Sequence, residues 1–117
     1  MTVRTAAFPA ALFLVWTLAA GQTESPRRIE ITAKKFAYDP NEITVKVGEP
    51  VVLVLHSSDV THGFEVPRLN IKAQDIKKNK KTEIKFTPQE AGHYVGLCSH
   101  FCGPGHGAMR LQIEVVP

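Results

Sequence analysis

Beyond residue 26, apolar and polar positions alternate in short runs, and no stretch recurs with helical spacing. Ile43, Val45 and Val47 alternate with Thr44 and Lys46, Ile84 and Phe86 with Glu83 and Lys85, and Leu111, Ile113 and Val115 repeat the pattern. Successive side chains of a strand point to opposite faces, so each run offers one face to a core and one to water. Val51 to Leu55 is apolar throughout, as a central strand covered on both faces would be. The alternation predicts strands at about 29–33, 42–47, 51–57, 63–66, 82–87, 93–97 and 108–115. Turn chemistry falls between them at Asp39-Pro40-Asn41, Val47-Gly48-Glu49-Pro50, Thr87-Pro88 and Ala91-Gly92. The connection 68–81 has no deciding period and accommodates either a short helical turn or an extra edge strand at about 71–76. Seven short strands predict an all-β chain folded as an antiparallel sandwich.

A length of 117 residues fits one domain. Residues 1–21 differ from the rest: Arg4 is their only charge, Ala6 to Ala20 is apolar, and Leu18-Ala19-Ala20-Gly21 supplies small residues for cleavage after Ala20 or Gly21. That grammar predicts an export signal over 1–21 and a destination outside the cytoplasm, the periplasm in a bacterium. The apolar run is shorter than a bilayer span of about 20 residues, so contact with a membrane is expected only if the segment stays uncleaved. The formal charge is +3, and without Arg4 it falls to +2, too mild to argue for nucleic-acid binding. The one concentrated basic patch, Lys77-Lys78-Asn79-Lys80-Lys81, reads first as a solvated loop and second as a docking surface for an acidic partner.

Only two cysteines are present. In an oxidising compartment such a pair often becomes a disulfide, but the neighbours here argue for other chemistry. Within the run 98–109 stand Cys98, Cys102, His106 and Met109, with His100 between the thiols. Soft sulfur with imidazole selects copper or zinc, and a thioether is a weak ligand favoured by copper in electron-transfer sites. Gly103, Pro104, Gly105 and Gly107 let the chain curl so that these side chains converge. A further ligand must come from another loop, and His62, at a turn entering a strand, is the candidate. A disulfide leaves His62, His106 and Met109 unexplained. A zinc site of His62, Cys98, Cys102 and His106 leaves Met109 idle, and a one-copper blue site leaves one thiol idle. His56 and His93 lie off this spacing and read as surface or structural histidines, and Phe64 and Phe101 read as packing residues that keep water from the site.

These residues resemble the copper A domain of cytochrome c oxidase subunit II, a member of the Greek-key cupredoxin sandwiches, over about residues 33–116. The match rests on Cys98, Cys102, Gly103, His106 and Met109 in the loop and on Asp59, Val60, His62, Val66 and Pro67 upstream. The resemblance implies a cupredoxin-like copper-binding domain over 22–117 with two copper ions. Cys98 and Cys102 bridge them, His62 and His106 bind one each, Met109 is a weak ligand, and residue 100 offers its main-chain carbonyl. His100 stands where the family has Glu, whose side chain holds magnesium against the large oxidase subunit, so the change speaks against an ordinary oxidase subunit. The only tryptophan, Trp16, lies in the export segment, which leaves the domain without the family's aromatic electron entry and points to a different redox protein partner.

The implied activity is electron transfer without chemical conversion of a substrate, so the chain is not expected to be an enzyme by itself. A copper carrier or chaperone, a mononuclear type 1-like cupredoxin and a non-standard oxidase subunit are the alternatives. No Ser/His/Asp arrangement and no phosphate-cradling glycine loop stands out.

Overall fold

The computed structural model describes residues 2–3, 5–7, 10–11 and 25–117. Most of the expected export segment, including Trp16 and both cleavage positions, lies outside the described residues. Among the described residues no helix is long and apolar enough to cross a membrane.

Among the described residues nine strands form two facing sheets. They are β1 (Arg27–Lys34), β2 (Ala37–Asp39), β3 (Glu42–Lys46), β4 (Val51–Ser57), β5 (His62–Val66), β6 (Ile71–Ile76), β7 (Thr82–Phe86), β8 (Gly92–Leu97) and β9 (Arg110–Val116). One sheet has the order β2-β1-β4-β7 and the other β3-β9-β8-β5-β6. The all-β sandwich expected from the alternation is present, and its pairing is mixed: β1 runs parallel to β4, and β3 parallel to β9, while the remaining pairs are antiparallel. Parallel partners here are far apart in sequence, and no turn between them announces their direction.

Two strands depart from the sequence expectation. The three residues of β2 are too few to show alternation, yet they place Tyr38 in the core with 1% of its surface exposed. The open connection 68–81 resolves into a 3-10 turn at Pro67–Leu69 followed by edge strand β6. Only the end residues Ile71 and Ile76 of β6 are buried, which is why no apolar period was visible.

The core lies between the sheets and is built from Ile31, Leu53, Leu55, Phe64, Leu111 and Ile113, all fully buried. Burying such side chains contributes about 1.5–3 kcal/mol each, which is what the alternating strands supply. Strand β4 is central in its sheet, with β1 and β7 on its two edges, and it is buried on both faces. Over its outer face Arg28, opposite Val52, reaches Glu83, opposite Val54, at 2.7 Å. The aliphatic stems of this pair cover the two valines while the charged heads stay in water. His56 similarly sits at the surface, 2.8 Å from Glu30.

Strand directions give the sandwich two distinct ends. The ends of β1, β4, β6 and β8 and the starts of β2, β5, β7 and β9 gather at one of them, with the segments 58–61, 77–81 and 98–109. All six candidate ligands lie at this end.

Candidate metal centre

His62 opens β5, and its imidazole is fully buried. Its Nε2 lies 2.6 Å from Oδ1 of Asp59. Burial would push the Asp59 carboxyl up, but the amides of Lys35 and Val60 donate to it and His62 faces it, and together they hold it down at about 2. An ionised carboxylate only accepts, so the imidazole proton sits on Nε2. Nδ1 is buried and without any hydrogen-bond partner. A buried polar atom in that state costs about 1–3 kcal/mol unless something outside the chain satisfies it.

Strand β8 ends at Leu97 and delivers Cys98, and the loop returns through Cys102 and a 3-10 turn at His106–Ala108 before β9. Both cysteines are free and buried. Their sulfurs are 3.7 Å apart, and the donor atoms of His62, Cys98 and Cys102 all lie within 4.8 Å of one another. Nδ1 of His106 is 3.8 Å and Sδ of Met109 is 4.0 Å from the Cys102 sulfur. Met109 is 1% exposed, whereas His106 is half-buried. Burial pushes the Cys102 thiol up to about 11, and the adjacent Cys98 adds to the rise. Without a cation, burial keeps the Cys102 sulfur protonated.

His100 divides into two parts. Its carbonyl accepts from the Cys98 thiol at 3.1 Å, while its imidazole is exposed and points away, with Nδ1 3.4 Å from Asp75 on β6. His93 is also exposed, with Nε2 2.6 Å from Oε1 of Gln112.

Close packing fixes the loop. A Cβ built on Gly63 would collide with Ser99 Oγ and with the His100 amide, so only glycine lets β5 lie against the cysteine loop. Gly63 N–H points at the Cys98 sulfur at 3.5 Å, and its carbonyl accepts from the Tyr38 hydroxyl at 2.6 Å. Burial raises the Tyr38 hydroxyl, and the two nearby thiols raise it further, so it remains a donor. The ring of Phe36 covers Gly103 and Gly105, where an added Cβ would strike it. Residue types alone gave no role to Asp59, Tyr38, Phe36 or Gly63. For Asp59 the available signal was its position three residues before His62, within reach of the same turn.

A family model described as a cupredoxin-like domain matches residues 6–109. The chain belongs to the cupredoxin-like family. It is 35% identical over 87 residues to a cytochrome c oxidase subunit 2 of Thermus thermophilus, covering 74% of this chain and 64% of that protein. The chain thus spans less than two thirds of that relative's length. The fold matches the periplasmic domain of cytochrome oxidase subunit II (CoxB) of Bradyrhizobium japonicum with a TM-score of 0.70, at 22% identity over 77% of this chain and 83% of that one. Auracyanin A, a "blue" copper protein from Chloroflexus aurantiacus, aligns with a TM-score of 0.62 at 21% identity, covering 79% of this chain and all of that one (100%).

Copper is the metal this cupredoxin-like family implies, and the residues present fit it. Two buried thiols, a buried imidazole nitrogen with no partner and a buried thioether face one another.

Proposed function

We propose that the chain is an exported copper protein that passes single electrons and converts no substrate itself. The observation that carries this reading is Nδ1 of His62, buried with no partner, in a cluster whose donor atoms lie within 4.8 Å of one another and include two free thiols. Copper held there would supply a one-electron couple, and with two ions the electron would be shared over both.

The chain's residues hold that couple still. Cys98 and Cys102 would give the sulfurs shared by the two ions, His62 and His106 one imidazole each, Met109 the weak thioether and His100 its carbonyl. The outward turn of the His100 side chain supports the carbonyl role over an imidazole one. Asp59 locks the His62 ring and its tautomer, as an outer carboxylate does for a ligating histidine. Tyr38 and Gly63 pin the start of β5 to the cysteine loop. A scaffold that moves little between oxidation states keeps the barrier to electron transfer low.

The convergence of both thiols favours the two-ion site over a one-cysteine blue site, and the buried Met109 favours copper over zinc. Likeness to a periplasmic domain supports export, with the segment 1–21 as the signal and 22–117 as the copper domain. The test against a copper carrier is retention. A copper-loaded electron carrier holds its metal against a competing chelator for hours and cycles reversibly at an electrode, whereas release within minutes would make the chain a carrier.

A further inference from the structure

The basic run 77–81 was readable either as solvated loop or as docking surface, and its place in the fold separates the two. Strand β6 pairs with β5 so that Ile76 lies opposite His62 and Asp75 opposite Gly63. The lysine turn that follows therefore leaves the sheet at the metal end, with Lys77 two residues after Asp75, whose carboxylate faces His100. Lys77, Lys78, Lys80 and Lys81 are all exposed, on a turn closed by the Lys80 amide and the Lys77 carbonyl at 3.2 Å.

None of these four ammonium groups belongs to an ion pair among the described residues. The nearby carboxylates make their ion pairs and hydrogen bonds with other groups, Asp59 with His62 and two amides, Asp75 with His100 and Glu83 with Arg28, and Lys81 adds only a longer-range attraction to Glu83. Exposed Lys35, which precedes Phe36 over the glycine loop, adds a further positive charge. At the same end of the sandwich stands Phe101, 74% exposed, with its ring 5.7 Å from that of His106. An exposed aromatic next to the half-buried site histidine, at the same end as four exposed lysines that form no ion pair among the described residues, has the make-up of a brief contact in which charge steers and an apolar centre touches.

We propose that the metal end is a docking surface for an acidic electron-transfer protein, steered by Lys77, Lys78, Lys80 and Lys81 and seated on Phe101. This rests on the electron-transfer reading above and adds the sign of the partner's charge. The partner presents carboxylates around the edge of its own redox group. Steering of this kind raises association rates about 10- to 1000-fold and falls steeply with salt.

The test uses the isotope-labelled copper-free protein, so that failure of docking is distinct from failure of copper uptake. Three probes are titrated at low and high salt: an acidic flavodoxin, a basic c-type cytochrome and vesicles of phosphatidylglycerol. The expected result is that amide resonances of 77–81 and 99–106 shift with the flavodoxin at low salt and return at high salt. Replacing the four lysines together (K77Q, K78Q, K80Q, K81Q) weakens that binding at least ~10-fold, while K46Q with K72Q, away from the metal end, changes it less than ~2-fold. Equal or tighter binding of the basic cytochrome, retained affinity in the fourfold variant, or capture by the vesicles without flavodoxin binding would each overturn the proposal.

Discussion

At the end of the sandwich away from the cysteines, the chain closes on itself. The Gly48 amide donates to the Pro88 carbonyl at 2.7 Å, the Val47 amide to Val116 at 2.9 Å, and the Tyr94 hydroxyl to the Glu90 carbonyl at 2.8 Å. At the metal end the chain is equally well packed, yet His62 Nδ1 has no partner and two thiols lie side by side with no bond between them. One end is finished by its own hydrogen bonds, and the other keeps a buried nitrogen that no group of the described residues satisfies. The comparison locates function by what folding leaves unsatisfied.

The change that breaks both ends together is Phe64→Ala. The ring is fully buried, stands edge-on to Tyr38 at 5.6 Å and fills the space left by Gly96. A loss of about 3–5 kcal/mol in denaturant unfolding is expected. Gly63→Ala strikes the metal end alone: its methyl meets Ser99 and the His100 amide, for an expected cost of about 1–3 kcal/mol and a fall in copper uptake, read by unfolding and by metal analysis.

The pH dependence of the copper-free protein sharpens the contrast further. Asp59 titrates at about 2 in the fold against an ordinary 3.8, so its contribution is complete above 3.8 and is lost as pH falls through 2. The loss amounts to about 2 kcal/mol, and Asp59→Asn should flatten this acid limb. Cys102 is shifted the other way, from 9.0 to about 11, so its contribution is complete below 9.0 and is lost as pH rises toward 11. Cys102→Ser should flatten the alkaline limb. The smallest effect belongs to Gly48→Ala at the far end, where φ is +78° and the space around is open. It should cost about 1 kcal/mol and leave copper uptake unchanged.

Legibility in the sequence follows the same division. The far-end turn Val47-Gly48-Glu49-Pro50 was readable because its chemistry is local, and the alternation of β3, β7 and β9 was readable because each has one buried face. The parallel pairing of β1 with β4 was not, since direction between remote strands is decided by the whole sandwich. Within the candidate site, Cys98 to Met109 stood out because the donors share one short loop. The outward turn of His100 depends on where β6 places Asp75, and the bare nitrogen of His62 depends on a carboxylate held by two amides. Both are products of tertiary placement.

The most direct test counts copper in the purified, copper-loaded protein and records its electron-spin signal. The account predicts two ions per chain, an unpaired electron split by both nuclei, and loss of that signal in Cys98→Ser and Cys102→Ser while the copper-free fold persists. No copper uptake, or uptake unchanged when either thiol is replaced, would contradict it.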